Sequence, residues 1–92
     1  MSFNKDSAVA KARKDLAKRL KIKETDVTAT VTEKDFPDMS LGAPAKDEMS
    51  GQMISSGWHI KLSAGGKDYD YRADKYQLRL KNFNGTNHVI ES

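Results

Sequence analysis

Hydrophobic residues near the N-terminus recur at the spacing of an amphipathic helix. Four of them lie at positions i, i+3, i+7 and i+11, which places them on one narrow face. These residues are Val9, Ala12, Leu16 and Leu20. Ala, Leu, Lys and Arg, which are strong helix formers, dominate the segment, and Asp6 or Ser7 is suited to cap its N-terminus. The pattern predicts a helix over residues 7–21.

The chain then changes to the two-residue alternation of β-strands. In DVTATV, valine and alanine alternate with threonine, which predicts a half-buried strand over residues 27–33. Pro37 is expected to end this part of the sheet, because proline lacks the N–H group that a ladder needs. Two further segments, residues 57–64 and 67–73, alternate in the same way and predict a hairpin.

The pair Gly65-Gly66 separates these two segments and tolerates the positive φ angles of a two-residue turn. Such a turn fixes the register of the hairpin, since it places residue 64 opposite residue 67. The expected pairs are Trp58–Ala73, Ile60–Tyr71 and Leu62–Tyr69 on the apolar face and Lys61–Asp70 on the polar face. A shift by one residue would mix apolar and charged positions on both faces, so the pattern specifies one register.

A last alternating segment, residues 76–81, places Tyr76, Leu78 and Leu80 on the apolar face. A turn signal at Asn84-Gly85 leads into a predicted tail over residues 84–92, in which Val89 and Ile90 either add a last short strand or fray. The order of elements predicts an α+β fold. In it, a single N-terminal helix packs on one face of a four-stranded antiparallel sheet. The helix is expected on the face that carries Trp58, Ile60, Leu62, Tyr69 and Tyr71.

The composition is that of one small domain spanning residues 1–92. Hydrophobic residues make up 37% of the 92 residues and charged residues 32%, which allows one thin core. The absence of cysteine excludes disulfides and thiolate metal sites. The N-terminus lacks the apolar core of a signal peptide, and no segment approaches the roughly 18 apolar residues of a membrane span. We expect a cytoplasmic protein; a secreted chain without its signal peptide would show the same pattern.

No pattern of catalytic residues accompanies this fold. His59 is predicted on the polar face of the sheet opposite Arg72, which is a poor setting for a general base, and His88 lies in the predicted tail. Four acidic residues in and around the long connection lack the spacing of a cation-binding loop. They are Asp35, Asp38, Asp47 and Glu48. The sequence predicts a protein that is not an enzyme and that holds neither a metal nor a cofactor.

Positive charge is concentrated near the N-terminus. Residues 1–23 contain eight Lys or Arg and two Asp, a net charge of +6, whereas the whole chain has a net charge of +3. Four lysines, hereafter the lysine row, lie opposite the apolar face of the predicted helix: Lys11, Lys14, Lys18 and Lys21. The row either forms a solvated face or binds an anionic partner such as nucleic acid. Membrane insertion is not expected, because the apolar face is narrow and lacks Trp and Phe.

The segment FPDMSLGAPAKDEMSGQM, residues 36–53, has no hydrophobic period although it contains several large apolar residues. Connections longer than about 12–15 residues in compact domains are usually functional or disordered. In one interpretation, apolar side chains of this loop fold back and seal an edge of the core; they are Phe36, Leu41 and Met53. In the alternative, Met39, Ser40 and Leu41 form a partner-binding loop in which Met39 and Leu41 are the anchors.

The region from the predicted helix to the hairpin resembles the PepSY domain. That family has a helix, a strand and a hairpin in which a Gly-rich turn is followed by Lys-x-Tyr-x-Tyr and an Asp-Ala, and residues 58–74, with GGKDYDY as the closest part, match it in kind. The stretch FPDMSLGAP also resembles a (Trp/Phe)-Pro-Asp-x-Ser-Leu-Gly-x-Pro segment of small prokaryotic proteins that have a similar hairpin. The PepSY resemblance implies inhibition or regulation of proteases and gives no catalytic residue to transfer.

These observations predict a non-enzymatic protein-interaction module, a monomer or weak dimer, for which the PepSY resemblance implies modulation of a protease. The alternative is a module that binds nucleic acid or another anionic partner through the lysine row. Salt separates the two hypotheses, because binding to phosphates weakens steeply as the salt concentration rises.

Overall fold

The structure is an antiparallel sheet with a helix on one face. The computed structural model of the chain describes residues 3–46, 48–49, 51 and 53–91. Helix α1 spans Lys5–Leu20, and a short 3-10 turn, Glu24–Asp26, leads into the sheet. The strands are β1 (Thr28–Phe36), β2 (Ser55–Ala64), β3 (Lys67–Ala73), β4 (Leu78–Phe83) and β5 (Thr86–Glu91). Neighbouring strands follow the chain order, and each pair is antiparallel.

The α+β class and the N-terminal helix agree with the prediction, but the prediction of four strands is wrong. The described residues form a five-stranded sheet, because Thr86–Glu91 pairs with β4 instead of forming part of a tail over residues 84–92. The turn at Asn84-Gly85 is present, and both residues have positive φ. Asn82 also has a positive φ of 57° and lies in an irregular part of the ladder. Within β5 the apolar residues Val89 and Ile90 are adjacent, so this strand lacks the alternation by which the other strands are recognised.

Helix α1 begins two residues before its predicted start because Asn4, rather than Asp6 or Ser7, is its N-cap. The Asn4 side chain accepts a hydrogen bond from the Ser7 backbone N–H at 2.8 Å, and the Ser7 hydroxyl oxygen accepts one from the Asn4 N–H at 2.9 Å. This reciprocal pair is a capping box. At the other end, Lys21 adopts the left-handed C-cap conformation with a φ of 57°.

Helix α1 lies on the apolar face of the sheet, where the sequence places it. Its residues Ala8, Ala12 and Leu16 are fully buried in the contact. The sheet residues that are fully buried in the same core include Ile60, Leu62, Tyr71, Leu78 and Leu80. Half-buried residues at the margin of this core include Val9, Leu20, Trp58 and Tyr69. The small alanines bring the helix backbone close to the sheet, and the larger residues close the sides.

The β2–β3 hairpin has the predicted register. The observed pairs include Trp58–Ala73, Ile60–Tyr71, Leu62–Tyr69 and Lys61–Asp70. Gly65 and Gly66 form the turn with φ angles of 58° and 80°, a conformation that favours glycine at both positions. The hairpin therefore divides its side chains between an apolar face toward α1 and a polar face, hereafter the outer face.

Tyr76 is exposed rather than inward, contrary to the prediction of a strand over residues 76–81. Strand β4 begins only at Leu78, because the Asp74 carboxylate accepts hydrogen bonds from the backbone N–H groups of Tyr76 at 2.8 Å and Gln77 at 3.0 Å. The Asp74 N–H in turn donates to the Gln77 carbonyl at 3.0 Å. This tight turn directs Tyr76 away from the core, and 71% of its surface is exposed.

The long connection covers the outer face of the sheet. Phe36 alternates onto this face at the end of β1, and the Arg72 guanidinium carbon lies 5.8 Å from its ring centroid. Leu41 and Ala43 are fully buried in the same region. The interpretation that side chains of this loop fold back is confirmed for Phe36 and Leu41, which are fully buried, although they cover the outer face and are not part of the helix-side core. It is wrong for Met53, which is 66% exposed.

Candidate functional site

The loop after β1 is organised by a turn at Asp38. The Asp38 Oδ1 atom accepts hydrogen bonds from the Ser40 N–H at 2.9 Å, the Ser40 hydroxyl at 2.6 Å and the Gly42 N–H at 3.1 Å. The bond from the Ser40 hydroxyl, followed by the bond from Gly42, lowers the pKa of the Asp38 carboxyl. An ionised Asp at the start of a turn thus satisfies three donors at once, which explains why Asp, Ser and Gly occupy these positions in FPDMSLGAP.

Two arginines of the sheet hold this loop on the outer face. Arg72 of β3 donates from Nη1 to the Leu41 carbonyl at 2.9 Å, and Arg79 of β4 donates from Nη1 to the Ala43 carbonyl at 3.2 Å. Arg79, which is only 5% exposed, also forms a bidentate pair with Glu48, in which Nη2 lies 2.8 Å from Oε2. The hydrogen bond from Arg79 lowers the pKa of Glu48 to about 2. The two arginines therefore bind three groups of the loop: the Leu41 carbonyl, the Ala43 carbonyl and the Glu48 carboxylate.

Arg72 also belongs to a polar network on the outer face, in which Asp70 binds both Arg72 and His59. The Arg72 guanidinium donates from Nε and Nη2 to the two oxygens of the Asp70 carboxylate at 3.1 and 3.2 Å. The Nε2 atom of His59 lies 2.8 Å from the same carboxylate. Because Asp70 binds Nε and Nη2 of the guanidinium, Nη1 is directed at the Leu41 carbonyl. His59 therefore belongs to a network that positions the loop.

The residues of the predicted partner-binding loop lie in different environments. Ser40 and Leu41 are 1% and 0% exposed, so Leu41 cannot anchor a partner while the loop keeps this fold. Met39 is 50% exposed, and its backbone is fixed on both sides. Its N–H donates to the Gly51 carbonyl at 3.0 Å, and its carbonyl accepts from the Gln77 side-chain amide at 2.6 Å. Met39 is thus the one member of this set that faces solvent.

Met39 borders a shallow groove, hereafter the Tyr76 groove, that the sequence did not indicate. Ile54 and Tyr76 supply its other large apolar side chains, with 75% and 71% of their surfaces exposed. The groove has a volume of about 360 Å³ and a polar border that includes Lys75 and Gln77. Two separate connections meet here, because Met39 and Ile54 come from the long loop and Tyr76 comes from the turn after β3.

The lysine row lies exposed along α1 and at its C-cap. Lys11 forms an ion pair with Glu91, in which Nζ and Oε1 are 3.6 Å apart. Three of the row, Lys11, Lys14 and Lys18, border a hollow of about 220 Å³ together with Asp15. The surface is therefore of mixed charge near β5 and positive elsewhere along the row. No helix in the described part of the chain is long and apolar enough to cross a membrane.

The acidic residues around the loop bind groups of the protein itself. Asp35 accepts a hydrogen bond from the Ser56 hydroxyl at 2.8 Å, while Asp38 and Glu48 are bonded as described above. Asp47, the fourth residue considered from the sequence, lies outside the described residues. Among the residues that the structure describes, no three His, Asp or Glu side chains are placed to hold a metal ion.

Comparison with known proteins assigns the chain to a family. The profile of DUF8738, described as a domain of unknown function, matches residues 9–81. The matched region runs from α1 into β4 and includes the long loop, both arginines and Tyr76. No curated protein and no solved structure matches the chain. Because the profile matches well over half of its residues, the protein belongs to the DUF8738 family.

Proposed function

We propose that this domain is a non-enzymatic protein-interaction module that binds its partner at the Tyr76 groove. The observation that carries the proposal is the exposure of three large apolar side chains around one depression: Met39, Ile54 and Tyr76. Contiguous exposed apolar surface marks interaction sites, whereas single exposed apolar residues are ordinary. Tyrosine and methionine are also enriched in protein interfaces.

The groove is ordered by bonds of the domain itself. Gly51 and Gln77 fix the backbone of Met39, and the Asp74 carboxylate fixes the turn that presents Tyr76. A surface that is already ordered loses less conformational entropy when a partner binds. The border formed by Lys75 and Gln77 supplies polar groups around an apolar centre, which is the usual arrangement of a protein interface.

The partner that fits this groove is a protein that presents an aromatic or aliphatic side chain to Tyr76. The first class to test is a protease, because residues 58–74 resemble the hairpin of PepSY domains. In that arrangement the domain binds the protease without cleaving a bond itself. Inhibition or activation of the protease would then depend on Met39, Ile54 and Tyr76.

Photo-cross-linking tests this proposal in the full chain. A benzophenone amino acid at position 76 should yield an adduct with a specific protein from native extract, and Ile54→Ser in the same chain should reduce the yield. The matched control carries the benzophenone at Lys67, an exposed residue at the far end of the hairpin. Equal adducts from both positions, or none from position 76, would refute a binding site at the groove.

Binding of an anionic partner to the lysine row is the second candidate function. The observation that favours it is that Lys14, Lys18 and Lys21 are exposed and form no ion pair with any described residue. Titration with labelled DNA and RNA at two salt concentrations should then show affinity that falls steeply with salt. Lys14→Gln with Lys18→Gln should weaken it, whereas Lys61→Gln on the sheet should not; salt-independent binding or none rejects this function.

A further inference from the structure

We propose that the edge strand β1 is a second binding site, which accepts an extended segment of another protein as an additional strand. β1 spans nine residues and pairs on one side with β2. On the other side, its backbone groups make no hydrogen bond to any backbone group of the described residues. This site is separate from the Tyr76 groove, so the inference goes beyond the function proposed above.

The two edges of the sheet are protected to different degrees. The other edge, β5, has six residues, pairs irregularly with β4 and is tied to α1 through the Glu91–Lys11 ion pair. In β1 the charged residues are confined to positions 33–35, and Thr28–Thr32 contains none. Soluble proteins usually protect sheet edges with charges, bulges or proline. Thr28–Thr32 lacks these devices and is the part of the edge that is suited to pair.

A groove between α1 and β1 lies beside the same residues. Val9 and Arg13 of the helix and Ala29 and Val31 of the strand line it, and its volume is about 390 Å³. Ala29 and Val31 are only half-buried, so the groove is open at the sheet edge. In strand addition, main-chain hydrogen bonds supply affinity and alternate side chains enter adjacent pockets. Every second side chain of a strand added to β1 would face this groove, which selects small or β-branched apolar residues.

Arg13 supplies a charged contact in the groove. The residue is half-buried, lines the groove and forms no ion pair with any described residue. Lys5 and Asp6 also border the groove and give it a net positive charge together with Arg13. A carboxylate is the ligand that a guanidinium binds best. The occupant is therefore an extended segment with alternating apolar residues and one Asp or Glu that reaches Arg13.

Selection from a display library of random linear peptides against the full chain tests this inference. Enriched peptides should alternate apolar residues, contain an acidic residue and shift the amide resonances of Thr28–Thr32. By fluorescence anisotropy, Arg13→Gln and Val31→Lys should each weaken their binding about tenfold or more. Val89→Lys places the same charge on the opposite edge, at a residue that is 39% exposed, and should leave binding unchanged.

Three results would overturn the inference. They are the absence of enrichment, enriched peptides whose affinity neither Arg13→Gln nor Val31→Lys changes, and self-association of the chain that protects Thr28–Thr32 without peptide. Circular dichroism separates a folding defect from a binding defect, and Arg13→Gln, at a half-buried position, retains most of the side chain. Tyr76→Ser distinguishes the two sites, because it should weaken binding at the Tyr76 groove about tenfold or more and leave peptide binding at β1 intact.

Discussion

The hydroxyl group of Tyr71 donates a 2.7 Å hydrogen bond to the carboxylate of Asp15 and so joins the centre of the sheet to helix α1. The same carboxylate accepts a 2.7 Å bond from Arg19, one turn further along the helix. Burial, and then the bond to Asp15, raises the pKa of Tyr71 well above its ordinary value. The hydroxyl therefore remains a donor at physiological pH. The bond thus connects α1 to the apolar face of the sheet. The long connection after β1 covers the outer face.

Replacement of this hydroxyl should destabilise the fold measurably. Because the acceptor is a charged, mostly buried carboxylate, we expect Tyr71→Phe to lower the free energy of unfolding by about 1.5–3 kcal/mol. Urea denaturation measures the change. Tyr69→Phe is the control, since the Tyr69 hydroxyl makes no hydrogen bond among the described residues, and it should cost less than about 0.5 kcal/mol. Equal losses for both variants would contradict a specific role of the Tyr71–Asp15 bond.

Substitution by serine should mainly lower stability at Leu41 and mainly weaken partner binding at Met39. Leu41→Ser removes a fully buried side chain from the outer-face cluster and should cost about 2–5 kcal/mol in stability. Met39→Ser changes a half-exposed side chain and should cost under about 1 kcal/mol while weakening partner binding. Thermal unfolding and a binding assay on both variants check this. A stable Leu41→Ser variant would show that the loop does not cover the sheet.

Gly42 should resist replacement more strongly than a turn glycine. Gly42 has a φ of 70°, and a Cβ atom added there would lie 2.5 Å from Nη1 of Arg72, the atom that binds the Leu41 carbonyl. Gly66 has a similar φ of 80° but nothing within 4 Å of such an atom. Alanine at either position costs about 1–2 kcal/mol of backbone strain, and only Gly42→Ala also displaces Arg72. Chemical denaturation of both variants should show the larger loss for Gly42→Ala; equal losses would argue against the Arg72 contact.

The Glu48–Arg79 pair predicts a pH dependence of loop stability. The pKa of Glu48 falls from 4.5 to about 2 on folding, so its stabilising effect is present above pH 4.5 and is lost as the pH falls toward 2. Glu48→Gln should cost about 1 kcal/mol at neutral pH, and its difference from the natural chain should shrink across that range. Urea titrations between pH 2 and 7 measure this. An equal difference between the two chains at pH 2 and at pH 7 would contradict a stabilising pair between Glu48 and Arg79.

The helix-side core could be predicted from the sequence, because turn residues, strand alternation and helical periodicity all indicate the same arrangement there. The turn at Gly65-Gly66 and the alternation on both sides of it specify one register, and the observed pairs agree with it. The amphipathic period of α1 predicts the face that is buried, although Ala8 is fully buried and Val9 only partly. Strand β5 was only one of two alternatives for the tail, since its apolar residues Val89 and Ile90 are adjacent and do not alternate. Alternation alone cannot identify such a strand.

The candidate site could not be predicted in the same way. Arg72 and Arg79 hold the loop on the outer face by binding main-chain carbonyls that are distant in sequence. Such contacts leave no periodic pattern in the sequence. The sequence predicts Tyr76 inward because it lies two residues before Leu78 and so continues the alternation of Leu78 and Leu80. The signal against this was Asp74, since an Asp at the start of DKYQ is a turn residue that captures the following N–H groups.

Titration calorimetry with the partner captured at position 76 tests the central claim most directly. Tyr76→Ser should weaken binding about tenfold or more, because Tyr76 is one of the large apolar side chains that line the groove and tyrosine is a typical energetic anchor in interfaces. Met49→Ser, which removes a 97% exposed side chain that does not border the groove, should leave the affinity unchanged. If the two variants and the natural chain bind the partner equally well, the Tyr76 groove is not the binding site.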